Sequence, residues 1–208
     1  MRLGSTTTLG RGVAAAASVS TTERLVFIKK VYSLLALSML TAAVGAYLGS
    51  GPLFLLVAPN MMLFFILQIG LIFFASFAAR KPGLNIIALF SFTTVSGLTL
   101  GPLLARVGPT IAAEAFALTA ITFVCLSLYV VYSKKDFSFM SGFLMTGLIV
   151  LVVGGLLNMF FIQSGMMHFV MSGASVLLFS GFILYDTSNI LRYYGTDEHV
   201  SATLALYL

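Results

Sequence analysis

Residues 110–132 read TIAAEAFALTAITFVCLSLYVVY and carry a single charged side chain, Glu114. The stretch is long enough to cross a hydrocarbon core of roughly 30 Å as a helix, and it lacks the strict apolar–polar alternation of a half-buried strand. It ends at the polar cluster Ser133-Lys134-Lys135-Asp136. We therefore predict a transmembrane helix here.

Five other apolar runs have the same character, and each is closed by a basic, polar or glycine–proline cluster. In chain order the six runs are Val31–Leu48, Met61–Ala79, Leu84–Leu104, Thr110–Tyr132, Phe137–Ile162 and Met166–Leu191. Backbone groups inside a bilayer must be satisfied by helices or closed barrels, and the absence of alternation disfavours a barrel. The sequence predicts an all-α fold, a polytopic transmembrane helix bundle with six complete spans.

The two ends of the chain differ from this pattern. Residues 1–22 are rich in Ser, Thr, Ala and Gly and contain no acid, so we predict a disordered tail, with an organellar transit peptide as the alternative. Residues 23–208 form the predicted transmembrane domain. Val200–Leu208 is apolar again but too short to span, so we expect the start of a seventh span in a truncated chain; an interfacial C-terminal helix is the alternative.

The composition excludes most other classes of protein. Hydrophobic residues make up 60% of the 208 residues and charged residues 8%, whereas a soluble domain carries roughly 25% charged residues. The lipid bilayer is therefore the first expected partner. The net charge of +5 comes from basic residues at the ends of apolar runs, so we expect no nucleic-acid partner. Metal-ligand spacing, phosphate loops and nucleophile elbows are absent from the sequence, and we expect no enzyme activity, catalytic residue, metal or cofactor.

The basic residues also predict the orientation. If the N-terminus is cytoplasmic, Arg106 is the one basic residue outside, in agreement with the positive-inside rule. The ten inside are Arg2, Arg11, Arg24, Lys29, Lys30, Arg80, Lys81, Lys134, Lys135 and Arg192.

Asp186 is the leading candidate functional residue. It lies five residues before the end of the sixth run, and its side chain is too short to reach the headgroups. Burial favours its neutral form and a nearby cation its charged form, so the residue is suited to proton sensing. Arg80 and Lys81 end the second run on the same side and are its candidate partners at a gate. A structural ion pair or a water-exposed helix end is the alternative.

Other polar and small residues inside the runs complete the candidate set. Glu114, Gln68 and Asn158 are candidates for an ion path; the alternative is a helix-dipole role for Glu114 and interhelical hydrogen bonds for the two amides. Two pairs of glycines predict close helix packing. These pairs are Gly97 with Gly101, and Gly154 with Gly155.

Six short motifs follow one another along the chain: Ser96–Leu104 (SGLTLGPLL), Glu114-Ala115-Phe116, Lys134–Phe139 (KKDFSF), Asn158-Met159-Phe160, Leu184–Ile190 (LYDTSNI) and Ala205–Leu208 (ALYL). In this order and spacing they resemble the motifs of the Bax inhibitor/YccA family of membrane proteins. The resemblance runs from about Glu23 to the last residue.

The resemblance implies a seven-helix bundle with the last helix near its centre, and a pH-sensitive calcium leak. Asp186 matches an aspartate that pairs in the family with a second one, which would follow Leu208. Gln68 stands where calcium-conducting members often carry a glutamate, which disfavours calcium conduction. Some bacterial members are instead linked to a membrane-bound protease.

Two classes of function therefore stay open for an integral protein that we expect in the bacterial inner membrane. The first is a proton-gated cation leak, with calcium ions as the substrate. The second is a non-conducting interaction protein that modulates a membrane-bound protease or a stress response. An intramembrane enzyme is a distant third, since no catalytic constellation is visible in the sequence.

Overall fold

A computed structural model describes residues 21–79 and 81–208, and no strand occurs among them. Eight α-helices follow one another: α1 Thr21–Ser50, α2 Phe54–Val57, α3 Met61–Ala78, α4 Leu84–Val107, α5 Pro109–Ser133, α6 Ser141–Leu157, α7 Gly165–Arg192 and α8 His199–Tyr207. A 3₁₀ turn, Ser138–Met140, precedes α6, and a π-helical turn, Asn158–Ile162, follows it. The prediction of an all-α polytopic bundle is confirmed.

Six helical segments of the described chain are long and apolar enough to span a membrane. They are α1, α3, α4, α5, the continuous segment Ser138–Ile162 that contains α6, and α7. Their large apolar side chains are widely exposed, for example Phe161 at 80% and Phe169 at 78%. In water such exposure would oppose folding, so these surfaces are covered by lipid.

The first span begins well before the predicted Val31, because α1 starts at Thr21. Phe27 and Val31 are 1% and 0% exposed, so the added turns are held by burial even though Arg24, Lys29 and Lys30 interrupt the apolar pattern. The predicted disordered tail, residues 1–22, lies outside the described residues apart from Thr21 and Thr22, the first residues of α1.

The chain forms two compact units. The first contains the described residues up to Ala117 together with Tyr193–Leu208, and the second contains Leu118–Arg192. Among the six spans α4 is the most buried: 44% of its most apolar stretch is buried, against 6–22% for the other spans. It packs along α1, α3 and α8. The short helix α8 also packs against α1, and Thr203 Oγ1 donates to the Val31 carbonyl at 3.3 Å.

The second unit is held by close contact between α6 and α7. Leu144 and Leu178 are its most buried leucines, at 1% and 7% exposure. Each faces a glycine of the other helix: a Cβ on Gly181 would lie 2.7 Å from Leu144 Cδ2, and one on Gly147 would meet Leu178 Cδ1. Large side chains therefore fill the space that the glycines leave.

A glycine with positive φ lies at each end of α4. Gly83, with φ 83°, precedes α4, and Gly108, with φ 87°, closes it. Pro109 then occupies the first position of α5, where its missing N–H is not needed.

Candidate functional site

Asp186 lies in the last two turns of α7 and is half-buried. The next two side chains, Thr187 and Ser188, are 1% and 0% exposed. Among residues 21–79 and 81–208, the Asp186 carboxylate makes no hydrogen bond and no ion pair. A carboxylate inside a span is costly as an unpaired anion, so its charge must be removed by a proton or met by water or a cation.

The end of α7 is anchored to the segment that follows α5. Phe137 donates its N–H to Ser188 Oγ at 3.1 Å, and Arg192 Nη2 donates to the Lys134 carbonyl. Arg192 Nε also lies 4.0 Å from Asp136 Oδ2. The guanidinium of Arg192 is therefore directed to this segment, although the residue is on the same helix as Asp186.

The predicted cationic partners of Asp186 are Arg80 and Lys81. Arg80 lies outside the described residues. Lys81 is exposed in the first unit, and its Nζ lies 3.8 Å from the centroid of the Phe77 ring, a cation–π contact. Asp186 belongs to the second unit. The pairing of Asp186 with Arg80 or Lys81 stays a prediction.

Gln68 joins α3 to α4. It is half-buried on α3, and its Nε2 donates to Ser96 Oγ of α4 in a long hydrogen bond of 3.5 Å. Nearby in the fold, the Tyr207 ring of α8 packs edge-on against Phe92 of α4, with 5.6 Å between the ring centroids. The interhelical hydrogen bond predicted for Gln68 is confirmed, and its place on an ion path stays a prediction.

Asn158 contacts the turn that follows it. It is 1% exposed in the π-helical turn, where its Oδ1 accepts the Ser164 N–H at 3.0 Å and its Nδ2 donates to the Ser164 carbonyl at 3.4 Å. Both polar ends of the amide thus serve the turn that leads into α7 and not the interhelical bond considered as the alternative, and the place of Asn158 on an ion path stays a prediction. Glu114 is exposed near the start of α5, beyond its first turn, and its role on an ion path stays untested.

The predicted packing glycines fall into two groups. A Cβ on Gly97 would overlap the Ala42 backbone of α1, and one on Gly101 would overlap the Gly49 backbone. Gly154 faces only the flexible end of Met171, at 2.9 Å from Cε. For Gly155, no atom of the described chain lies within 4 Å of the Cβ position.

Sequence reasoning missed the partners of the first glycine pair. Gly45 and Gly49 of α1 face the Thr94 and Leu98 carbonyls of α4, so four glycines form one seam, Gly45, Gly49, Gly97 and Gly101. The signal was present, since Gly45-x-x-x-Gly49 repeats the spacing of Gly97-x-x-x-Gly101. The seam continues into a hydrogen bond of 2.7 Å between the hydroxyls of Thr41 and Thr93.

These features define a multi-pass α-helical integral membrane protein, with a half-buried aspartate in its sixth span and a glycine seam between its first and third spans. Within the described residues no group of three or more His, Cys, Asp or Glu could hold a metal ion.

Comparison with known proteins places the chain in a family. The profile of the family described as "Inhibitor of apoptosis-promoting Bax1" matches residues 24–208, and the chain belongs to this Bax inhibitor family, which includes YccA. The resemblance drawn from the motifs is confirmed.

Three relatives show the breadth of the family. The chain is 44% identical to an uncharacterized protein of Campylobacter jejuni, over 89% of this chain and 83% of the relative. It is 36% identical to YccA of Escherichia coli, over 87% and 82%; this relative is called "Modulator of FtsH protease YccA" in strain K12 and "Inner membrane protein YccA" in strain CFT073. It is 34% identical to the "Golgi anti-apoptotic protein" of Vaccinia virus strain Lister, over 92% and 83%.

Proposed function

We propose that this chain is a membrane-embedded modulator of a membrane-bound protease in the bacterial inner membrane, with its N-terminus in the cytoplasm. The observation that carries the proposal is the 36% identity to the modulator of FtsH protease YccA, over 87% of the chain. The N-terminal residues 1–22, rich in Ser, Thr, Ala and Gly, suit a segment that a protease can grip.

Asp186 is the group through which the modulator responds to pH. Its half-buried place in α7, without a hydrogen bond or ion pair to the described residues, gives its two protonation states very different solvation energies. A conformation in which water or a cation reaches the carboxylate is favoured when Asp186 is charged, and a closed conformation when it is neutral. The protein therefore changes conformation with pH.

A cation leak through the same bundle is the second candidate function, and the position of Asp186 in a span favours it. An acid inside a span marks ion pathways in other membrane proteins. The amide of Gln68 lowers the expected preference for calcium, because a neutral side chain contributes less to binding a hard divalent cation than a carboxylate.

Co-reconstitution with the FtsH protease of Escherichia coli tests the first function. We expect the rate at which the protease degrades a membrane-protein substrate to change when the chain is added at equal concentration. A variant without residues 1–20 is the matched control, and we expect it to bind the protease more weakly. An unchanged degradation rate, together with failure of the chain to co-purify with the protease, would contradict the proposal.

Calcium entry into proteoliposomes tests the second function. If the chain conducts, entry depends on pH in the parent, loses that dependence in Asp186→Asn, and increases in Gln68→Glu. Asp197→Asn serves as a control with the same loss of charge at an exposed position outside the spans. The absence of entry above that of empty liposomes, in every variant and at every pH, would reject the leak.

A further inference from the structure

The first unit contains a cavity of about 400 Å³ where the end of α3 meets the start of α8. This volume is within the range of small-molecule sites. Ser76, Phe77 and Ala79 line it from α3 and the residue that follows; Tyr193, Tyr194, Glu198 and Ser201 line it from the other side. None of these residues belongs to the site around Asp186, which is in the second unit.

Two serines and one glutamate of this cavity offer hydrogen-bond acceptors, beside the hydroxyls of Tyr193 and Tyr194, which can donate or accept. Ser76 Oγ donates its hydrogen to the Ile72 carbonyl at 2.9 Å, and Ser201 Oγ donates to the Ala79 carbonyl at 3.5 Å. Their hydroxyl oxygens retain lone pairs. Glu198 Oε2 accepts the Gly195 N–H at 3.0 Å, and an ionised carboxylate has several further lone-pair sites. The cavity therefore favours a ligand that donates hydrogen bonds.

Aromatic rings and one negative charge make the cavity suitable for a cation. Phe77, Tyr193 and Tyr194 are the aromatic residues of the lining, and Glu198 is its one carboxylate. The Phe77 ring already attracts the ammonium of Lys81, at 3.8 Å from its centroid. A compact organic ammonium combines the required charge with several N–H donors.

The height of the cavity in the membrane identifies the source of such an ammonium. Phe77 lies at the end of the span Met61–Ala78 and is 67% exposed, so the cavity opens where hydrocarbon gives way to headgroups. Lys81 is exposed beside it and can meet a phosphate. We propose that this cavity binds the headgroup of an ethanolamine phospholipid, with the ammonium beside Glu198, Ser76 and Ser201, and the phosphate toward Lys81.

The acceptors predict discrimination among lipids. A primary ammonium has three N–H donors, whereas the trimethylammonium of a choline lipid has none and can make only cation–π contacts. A glycerol headgroup lacks the positive charge altogether. The cavity should therefore prefer ethanolamine lipids over choline lipids, and choline lipids over glycerol lipids.

Native mass spectrometry of the purified full chain in detergent tests the proposal, with palmitoyl-oleoyl phosphatidylethanolamine, phosphatidylcholine and phosphatidylglycerol as probes. We expect the dissociation constant of the first bound lipid molecule to be about tenfold lower for the ethanolamine lipid than for the choline lipid. One charge-assisted hydrogen bond gives an effect of this size. Glu198→Gln should abolish most of this difference, since it removes the charge but keeps an oxygen to accept the Gly195 N–H.

Asp197→Asn is the matched control, because Asp197 is the adjacent acid, is exposed and is not among the lining residues. It should keep the preference. Equal affinity of the parent for the ethanolamine and choline lipids would overturn the proposal, as would a Glu198→Gln variant with the preference of the parent. Free phosphoethanolamine that binds as tightly as the lipid would overturn the assignment to a membrane headgroup.

Discussion

Asn158 and Asp186 are both polar side chains within apolar spans, and their surroundings are opposite. The amide of Asn158 is bonded at both ends to Ser164. The carboxylate of Asp186 makes neither a hydrogen bond nor an ion pair within the described part of the chain. A satisfied buried amide stabilises one local structure, whereas an uncompensated carboxylate makes the structure depend on its protonation.

Asn158→Ala should therefore lower stability. The substitution removes the acceptor of the Ser164 N–H, and a buried donor without a partner costs about 1–3 kcal/mol. Reversible unfolding in mixed detergent micelles gives the free energy of unfolding. Met159→Ala is the control at the next position, which is 64% exposed, and should change stability much less. An equal loss in both variants would argue against a stabilising role for the amide.

At the scale of helices, the glycine seam sets the distance between α1 and α4. Pro102 has no N–H, so it leaves the Leu98 carbonyl without its usual partner in the helix. Gly49 approaches that same carbonyl closely enough that a Cβ would overlap it. A Cα–H to carbonyl contact of this kind is common between closely packed membrane helices.

Gly97→Ala tests this seam. The added methyl group would meet the Ala42 backbone, which cannot move as a side chain can, so the helices must separate. We expect a loss of about 1–3 kcal/mol in the free energy of unfolding, the usual cost of overpacking. Gly155→Ala is the matched control, because its Cβ would lie in open space among the described residues, and it should leave stability unchanged or slightly higher. The reverse order of stabilities would exclude the seam as a packing determinant.

The spans could be predicted from the sequence because length and apolar content are properties of one continuous segment. The start of α1 could not, since Arg24, Lys29 and Lys30 interrupt the apolar run, whereas Phe27 and Val31 are buried in a fold where α1 packs along α4 and α8. Tertiary contact thus overrides the local pattern.

The candidate site was predictable only in part. Asp186 stood out as an acid inside a span, because the cost of that placement is local. An interhelical bond of Gln68 and close packing at Gly97 and Gly101 could also be expected, but not their partners Ser96, Gly45 and Gly49. Those partners, and the cavity between α3 and α8, depend on which helix faces match, and the periodicity of one sequence does not encode that.

At the scale of the whole molecule, ten of eleven basic residues favour a cytoplasmic N-terminus. In a Cys125→Ala background, single cysteines at Gln163 and at Ser133 should therefore react differently with a membrane-impermeant thiol reagent added to intact cells. We expect labelling at position 163, which is exposed between α6 and α7, and none at position 133 until the cells are opened. Labelling of intact cells at position 133 alone would show that the N-terminus lies on the opposite side of the membrane.

The central claim is that Asp186 makes the conformation of the protein depend on pH. Pulsed electron–electron double resonance, which measures the distance between two spin labels, tests it most directly. Spin labels at Tyr132 and Leu177, exposed residues of α5 and α7 within the second unit, report one distance in the Cys125→Ala chain. In the parent, this distance should shift between mildly acidic and mildly alkaline pH. Asp186→Asn, which is neutral throughout, should hold the acidic distance at every pH. A variant whose distance still shifts with pH as the parent's does would contradict the claim.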